Sequence, residues 1–240
     1  MNNATKAILA ILIVGFIGFA GYSLMKKQEN AIDYKKYDFN TVIEGNEDNG
    51  GISDHIKGNP NAPVKIFEYA DYQCPACSSV YPWISELVNE YNGKLAIVYR
   101  SFLLPYHQNG TAAASAAEAA GLQGYWEEYA TILFENQSEW ENASLSDRST
   151  YFNTYFANIV GSGITEEQIK KFNDDISSDA VSKKISFDMG IAKRMNLPGT
   201  PAFYLDGEMI NWSKAGGTKE AVMQLFRDEI NKKLATLEQK

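Results

Sequence analysis

The chain contains very little cysteine and histidine, with 2 residues of each among 240. A secreted domain held together by disulfides would carry more cysteines at wider spacings. A structural zinc site needs four ligands, and His55 and His107 are the only histidines that could complete one. Cys74 and Cys77 have no other cysteine to pair with. We therefore predict that they form a reactive pair rather than a structural brace.

Positive charge is also scarce. The chain has 22 Lys and Arg residues and 30 Asp and Glu residues, which gives a net charge of −8. Nucleic-acid binding needs clustered Lys and Arg, so we expect no nucleic-acid partner. No phosphate-binding loop or dinucleotide fingerprint is visible. We accordingly expect no cofactor and no metal ion. Apolar residues make up 45% of the chain, which is enough for a substantial core.

A long uncharged run lies near the start of the chain, from Ala7 to Met25, and spans 19 residues. A membrane-spanning helix needs roughly 20 apolar residues, whereas the apolar part of a signal peptide has about 7–15. We therefore predict a retained anchor over residues 1–27. A cleaved signal peptide is the alternative, because Gly18-Phe19-Ala20 resembles a small-x-small cleavage site.

The rest of the chain divides into a polar segment and one folded domain. Residues 28–58 predict a polar tether with room for a short strand or helix of its own. A cluster of turn-forming residues at Asn59–Pro63 marks the expected start of the folded domain, which we place at 59–237. Within it, about 108–195 predict four or five helices.

The first part of this domain has a strand–helix–strand pattern. Val64–Ala70 predicts a buried strand with one misplaced charge, Glu68. Pro75 suits the first position of a helix, where its missing N–H costs nothing, and Asn92-Gly93 ends that helix. Leu95–Leu104 predicts the second strand. The two cysteines therefore lie at the start of the helix.

The last part of the domain has a hairpin pattern. Ala202–Leu205 and Glu208–Trp212 predict two strands joined by the turn Asp206-Gly207. A final amphipathic helix is expected over about Thr218–Leu237. The aromatic residues of the helical stretch have helical spacing, which favours core packing over a peptide groove; they are Tyr125, Trp126, Tyr129 and Phe134.

Two cysteines at positions i and i+3 of a first helical turn can form a small-ring disulfide. The unpaired N–H groups and the dipole of the helix favour the thiolate of Cys74. A thiol with a lowered pKa attacks disulfides more readily and is also the better leaving group when a disulfide breaks. Cys77 lies one turn further in and should be less exposed. We therefore predict that Cys74 attacks and that Cys77 resolves.

Two motifs together resemble those of the DsbA-like thiol–disulfide oxidoreductases of the thioredoxin superfamily. One is the segment from Ala62 to Cys77, which ends in Cys74-Pro75-Ala76-Cys77, and the other is Gly199-Thr200-Pro201-Ala202-Phe203. The predicted anchor is similar to the membrane-tethered BdbD type. The resemblance implies an α/β thioredoxin fold with an inserted helical domain, preceded by an N-terminal transmembrane helix.

The resemblance also implies roles for individual residues. The Thr200–Pro201 bond is expected to be cis and to pack beside the cysteines, where Thr200 and Pro201 bind the substrate peptide. Glu68 is expected to be a buried acid with a raised pKa that carries a proton for Cys77. Asp71 is assigned to the turn before the helix. The chain departs from the family at Ala76, where strongly oxidising members have a His that can donate to the thiolate, which alanine cannot.

The function implied is a dithiol oxidase that introduces disulfides into reduced, unfolded secreted proteins. Its implied partners are those substrates, the membrane, and a DsbB- or VKOR-like quinone oxidoreductase that reoxidises it. The catalytic domain is expected outside the cell membrane, where disulfides persist. Lys26 and Lys27 argue for the opposite orientation by the positive-inside rule, although long domains translocate despite such charges.

Three alternatives remain open from the residues alone. The protein could be an isomerase or reductase of the same fold. The cysteines could instead bind a soft metal ion, or an iron–sulfur cluster shared across a dimer. Finally, a peptide-binding domain could contain this disulfide as a merely structural element. His107, Tyr72, Tyr106 and Trp212 could lie near the cysteines, but their positions do not follow from the sequence.

Overall fold

The computed structural model describes residues 32–239. The chain divides into two units, Met1–Lys36 and Tyr37–Lys240, and the strands and α-helices below all belong to the second. No helix within residues 32–239 is both long enough and apolar enough to cross a bilayer. The predicted anchor at Ala7–Met25 lies outside the described residues.

Five strands and eight α-helices make up the second unit over its described part. The strands are β1 His55–Gly58, β2 Val64–Ala70, β3 Leu95–Ser101, β4 Ala202–Leu205 and β5 Glu208–Met209. The helices are α1 Pro75–Glu90, α2 Gly110–Gly121, α3 Trp126–Glu135, α4 Gln137–Trp140, α5 Leu145–Val160, α6 Glu166–Ile176, α7 Asp179–Arg194 and α8 Lys219–Glu238.

The five strands form one sheet in the order β1-β3-β2-β4-β5. β2 and β3 are parallel, as their crossover through α1 requires. The other three pairings are antiparallel. β2 is buried along nearly its whole length because it lies in the centre of the sheet. This arrangement is the α/β thioredoxin fold that the motifs implied.

Two apolar clusters cover the two faces of the sheet. One contains α1 and α8, including Ile84, Leu87 and Phe226. The other includes both cysteines and the buried faces of the helices inserted between β3 and β4. The aromatic residues predicted to be core are confirmed there, with Tyr129 and Phe134 almost fully buried. The cysteines therefore lie where the sheet meets the inserted helices.

The folded unit begins earlier than the sequence indicated. The predicted tether ends in β1, which pairs with β3, and Asp54 just before it is buried. Arg100 on β3 binds the Asp54 carboxylate at 2.6 Å and also donates to the carbonyl groups of Phe39 and Thr41. Lys184 on α7 binds the other Asp54 oxygen at 3.1 Å. These buried charges join residues 39–54 to the sheet and to the inserted helices, which a polar sequence pattern does not reveal.

Two predicted strands are shorter than expected. β3 ends at Ser101 rather than Leu104, because the N–H groups of Leu103 and Leu104 bond to the Met189 sulfur and the Asp71 carboxylate instead of a strand. β5 ends at Met209 rather than Trp212. The chain turns there, and the Trp212 indole donates to the Pro201 carbonyl at 3.0 Å.

Candidate active site

The loop between β2 and α1 carries the two cysteines. Cys74 caps α1 with an extended backbone (φ −76°, ψ 121°), and Pro75 occupies the first helical turn. The Cys74 N–H donates to the Asp71 carbonyl at 2.9 Å. Both thiols are free in this structure. Cys74 is 5% exposed and Cys77 is fully buried, which confirms the predicted order of exposure.

The Cys74 thiol is strongly acidic, with its pKa lowered to about 5. The largest cause is a hydrogen bond that the Cys77 thiol donates to the Cys74 thiolate. Burial opposes ionisation, while the Thr200 side chain and the N–H groups of Cys77 and Ala76 favour it. The predicted thiolate at Cys74 is thus supported by the first turn of the helix and by its neighbouring cysteine.

Cys77 has the opposite character. Burial raises the pKa of its thiol well above the ordinary value, and the hydrogen bond to the Cys74 sulfur and the negative charges of Cys74 and Glu68 raise it further. At neutral pH, Cys74 is therefore a thiolate and Cys77 a thiol. Such a division leaves one sulfur ready to attack and the other holding a proton.

The Thr200–Pro201 peptide bond is cis, as the second motif implied. The Cys74 thiol lies 3.4 Å from the Thr200 carbonyl oxygen, to which it donates. The Thr200 hydroxyl is buried and has no hydrogen-bond partner within residues 32–239. It is available to donate to the Cys74 thiolate, consistent with its contribution to the lowered pKa. The two motifs predicted to meet do meet.

A cleft of about 220 Å³ lies beside this cis-proline loop. Its lining includes Thr200, Pro201, Met209 and Trp212. Met209 is an exposed apolar side chain. Trp212 thus lies at the edge of the site, whereas Tyr72 is buried and Tyr106 is 71% exposed beside His107.

Glu68 is buried in the middle of β2, opposite Phe203 on β4 and Tyr99 on β3. One of its carboxylate oxygens has no hydrogen-bond partner among the described residues. Burial raises its pKa to about 8, although the positive charge of Lys57 opposes this. The predicted buried acid with a raised pKa is confirmed, and its charge acts on Cys77.

Lys57 is a residue of this site that sequence reasoning missed. It lies on β1, and its ammonium group binds Glu127 of α3 at 2.8 Å and the Tyr81 hydroxyl of α1 at 3.4 Å. Burial works against its charge, but Tyr81 and Glu127 raise its pKa above the ordinary value. A lone lysine in a polar segment carries no sequence signal of such a position.

Asp71 and His107 stabilise the loop through hydrogen bonds to the Asp71 carboxylate. The Asp71 carboxylate accepts hydrogen bonds from the N–H groups of Gln73 and Leu104 and contacts His107 Nδ1 at 2.8 Å. Asp71 is fully buried, and His107 is nearly so. The assignment of Asp71 to the turn is confirmed, and His107 packs against that turn rather than against a sulfur.

The inserted helices also hold the loop through side-chain amides that the sequence analysis did not single out. Gln137 donates to the carbonyls of Tyr72 and Cys74, and Gln73 bonds to Glu141 and Asn109. Glutamines in a polar helical stretch resemble surface residues, so only their packing reveals them.

Within residues 32–239, no group of three or more His, Cys, Asp and Glu side chains is arranged to hold a metal ion.

The sequence matches a family model described as thioredoxin over residues 51–223. The Na(+)/H(+) antiporter NhaA 1 of Mycolicibacterium gilvum is 35% identical over 158 residues, which are 65% of this chain and 24% of that protein. The chain thus spans about a quarter of the length of the curated relatives that it matches.

Solved structures share the fold. BdbD from Bacillus subtilis is 18% identical, covers 82% of this chain with 100% of its own, and has a TM-score of 0.59. The thiol-disulfide exchange protein alpha-DsbA2 from Wolbachia pipientis is 21% identical, with 74% of this chain and 85% of that chain covered and a TM-score of 0.58. The chain therefore belongs to the thioredoxin family, and its fold is that of the DsbA-like proteins which its two motifs resemble.

Proposed function

We propose that the protein is a protein dithiol:disulfide oxidoreductase that introduces disulfides into extracytoplasmic proteins through Cys74 and Cys77. The observation that carries this proposal is the contrast between the two sulfurs, since the pKa of Cys74 is lowered to about 5 and that of Cys77 is raised. A merely structural pair needs no such contrast. Thiol exchange requires it, because one sulfur must leave as a thiolate while the other stores a proton.

The reaction begins from the Cys74–Cys77 disulfide. A substrate thiolate attacks Cys74 Sγ, the bond between the two cysteines breaks, and Cys77 leaves as a thiolate that takes up a proton. A second substrate thiolate then attacks the substrate sulfur of the mixed disulfide, and Cys74 leaves as a thiolate. The substrate loses two electrons and gains a disulfide, while Cys74 and Cys77 are reduced.

Glu68 is the proposed proton donor and acceptor for Cys77. A carboxyl group with a pKa of about 8 is mostly protonated at neutral pH and gives up its proton without a large energetic cost. Cys77 is fully buried, so water has little direct access to its sulfur. A proton source inside the protein therefore assists each opening and closing of the disulfide.

The cleft beside Thr200 and Pro201 is the proposed binding site for the substrate chain. It lies next to the carbonyl group that contacts Cys74, so an extended peptide bound there would bring a cysteine to the reacting sulfur. Its apolar wall, formed by Met209 and Trp212, suits the apolar side chains that an unfolded protein exposes.

The proposed direction is oxidation of the substrate. A lowered pKa at the attacking cysteine stabilises the dithiol form, which makes the disulfide more oxidising. The pKa of about 5 at Cys74 lies between the values of about 7 in thioredoxin and about 3.5 in DsbA. Ala76 supplies no side-chain donor, but the Cys77 thiol and Thr200 do. Turnover then requires an oxidant, and we propose a DsbB- or VKOR-like membrane quinone oxidoreductase.

The proposed location is the outer side of the cell membrane, with residues 7–25 as the anchor. The uncharged run there supports this proposal. Alkaline carbonate extraction of membranes that contain the full chain should leave the protein in the pellet, and added protease should digest it in intact protoplasts. Release by carbonate, or protection from the protease, would contradict the proposed location.

The experiment that tests the chemistry is capture of the mixed disulfide. The variant Cys77→Ala, oxidised as a mixed disulfide with glutathione, is incubated with a reduced, unfolded secreted protein and analysed by non-reducing electrophoresis. We expect a covalent complex through Cys74 that reducing agent dissolves. The matched variant Cys74→Ala, which keeps only the buried sulfur, should form none.

Oxidation of the same reduced substrate at a controlled glutathione poise tests the direction. We expect the unsubstituted protein to accelerate disulfide formation, and both cysteine variants to lack this activity. A Cys77→Ala variant that captures no substrate would overturn the proposed function. Capture without net oxidation at any poise would instead favour the reductase or isomerase.

A further inference from the structure

The short helix α4 contacts the active-site loop through Gln137. This side chain is 7% exposed, and its amide nitrogen donates to the carbonyl oxygen of Tyr72 at 2.6 Å and to that of Cys74 at 3.1 Å. A side-chain amide has two N–H hydrogens, so both are used. One side chain of the inserted helices thus binds the backbone of the reactive cysteine itself.

The two carbonyl groups lie on either side of Gln73. The Cys74 carbonyl also accepts the N–H of Ser78, which closes the first turn of α1. Without Gln137 the Cys74 carbonyl would keep only the Ser78 N–H, and the Tyr72 carbonyl would lose its 2.6 Å bond, so the loop would be less tightly held. The bond from Gln137 therefore restrains the peptide unit from which α1 starts.

Within residues 32–239, the other hydrogen bonds between the inserted helices and this loop are made by residues other than Cys74. The Gln73 side chain donates to the Glu141 carbonyl at 2.7 Å and accepts the N–H of Asn109 at 2.7 Å. The amide nitrogen of Asn109 in turn lies within hydrogen-bond distance of three carbonyls at the end of α4 and just after it, those of Trp140, Glu141 and Ala143. These bonds hold the loop in place, but Gln137 alone among them fixes the cysteine's own backbone.

We propose that Gln137 is a positioning residue for Cys74, which it holds in the extended N-cap conformation that directs the N–H groups of Ala76 and Cys77 at the sulfur. This inference rests on the proposed function and deepens it, because it assigns part of the reactivity of Cys74 to the inserted helices. Both N–H groups contribute to the lowered pKa of Cys74, in agreement with this role.

The test compares Gln137→Met with Gln123→Met. Methionine has nearly the length of glutamine but no N–H donor. Gln123 is a half-buried glutamine of the same helical block whose amide donates only to the Gln168 carbonyl among its described bonds, at 3.2 Å. The pKa of Cys74 is measured in the reduced full chain by thiolate absorbance and by the pH profile of alkylation, neither of which requires a substrate protein.

We expect Gln137→Met to raise the pKa of Cys74 by about one unit, which lowers the alkylation rate about tenfold at pH 4. Gln123→Met should leave the profile unchanged even if both variants lose similar thermal stability. An unchanged pKa in folded Gln137→Met would overturn the inference. Should that variant fail to fold, Gln137→Leu is measured instead; leucine also lacks an N–H donor, and an unchanged pKa there would equally overturn the inference.

Failure of this inference is distinguishable from failure of the proposed function. If unsubstituted protein shows an ordinary thiol pKa and no exchange, the function itself is wrong. If the unsubstituted thiol is acidic and exchanges with substrate while Gln137→Met keeps the same profile, only the role of Gln137 is wrong.

Discussion

The Cys74 sulfur lies 3.4 Å from the carbonyl oxygen of Thr200, although 126 residues separate the two positions in the chain. All the inserted helices lie between them in sequence. The contact is made because β2, which precedes Cys74, pairs with β4, which follows Thr200, so that Tyr69 lies opposite Ala202. The sheet thus brings the reactive cysteine and the cis-proline loop to one end of two neighbouring strands.

The first prediction concerns the cause of the low pKa of Cys74. Because the Cys77 thiol is the largest contributor, Cys77→Ala should raise the pKa of Cys74 above about 5, whereas Cys77→Ser, which retains an O–H donor, should raise it less. The pH profile of alkylation measures both. Thr200 and the N–H groups remain in each variant, so neither pKa should reach the value of a free thiol. Equal profiles for the two variants would show that the donor at position 77 is unimportant.

The second prediction concerns the stability cost of Glu68. A carboxyl group whose pKa is raised from 4.5 to about 8 stays protonated in the folded protein while the unfolded chain ionises. It therefore destabilises the fold increasingly as pH rises from about 4.5 to about 8, and has no such effect below that range. Glu68→Gln should gain up to about 3 kcal/mol in the free energy of unfolding at pH 7 and nothing at pH 4.

Denaturant titration of the reduced protein at both pH values measures this difference. The same variant should form the mixed disulfide with a reduced substrate about a hundredfold more slowly, because Cys77 then leaves without its proton donor; this is the low end of typical losses when general acid–base catalysis is removed. A variant that is more stable at pH 7 but forms the mixed disulfide at the normal rate would remove Glu68 from the mechanism while confirming its burial.

The third prediction concerns the reduction potential. It should lie between about −270 mV, the value for thioredoxin, and about −120 mV, the value for DsbA. Reduction takes up one proton when Cys74 remains a thiolate and two when it does not. The potential should therefore fall by about 30 mV per pH unit above pH 5 and by about 59 mV per unit below it.

Equilibration with a reference dithiol from pH 3.5 to 7 measures this slope, over a range in which Glu68 stays protonated. A constant slope of about 59 mV throughout that range would mean that Cys74 is not ionised at neutral pH.

The fourth prediction concerns the buried charges that attach residues 39–54. Asp54→Ala leaves Arg100 and Lys184 buried without a shared carboxylate and should cost about 3–5 kcal/mol in the free energy of unfolding. The matched variant Asp174→Ala removes a surface bond to Lys170 within α6 and should cost about 0–1 kcal/mol. Urea titration compares the two. Equal losses would show that this charge cluster does not hold the segment.

The local features of the site followed from the sequence. The bounds of β2 and the start of α1 at Pro75 were predicted correctly, because a run of apolar residues and a proline at a helix start are decided by neighbouring residues. The acidity of Cys74 and the burial of Cys77 follow from the same helix geometry. The cis bond at Pro201 was implied by the motif and not by any physical property visible in the chain.

Contacts between distant polar residues were decided only by the tertiary structure. Arg100, Lys57 and Gln137 each look like surface residues in the sequence, yet packing places them next to a buried carboxylate, a tyrosine hydroxyl and a backbone carbonyl group, respectively. A polar residue becomes buried when another part of the chain supplies its hydrogen-bond partner, and no local pattern encodes which part that is. The sequence by itself therefore determined the reacting sulfur, and the fold determined the groups that surround and tune it.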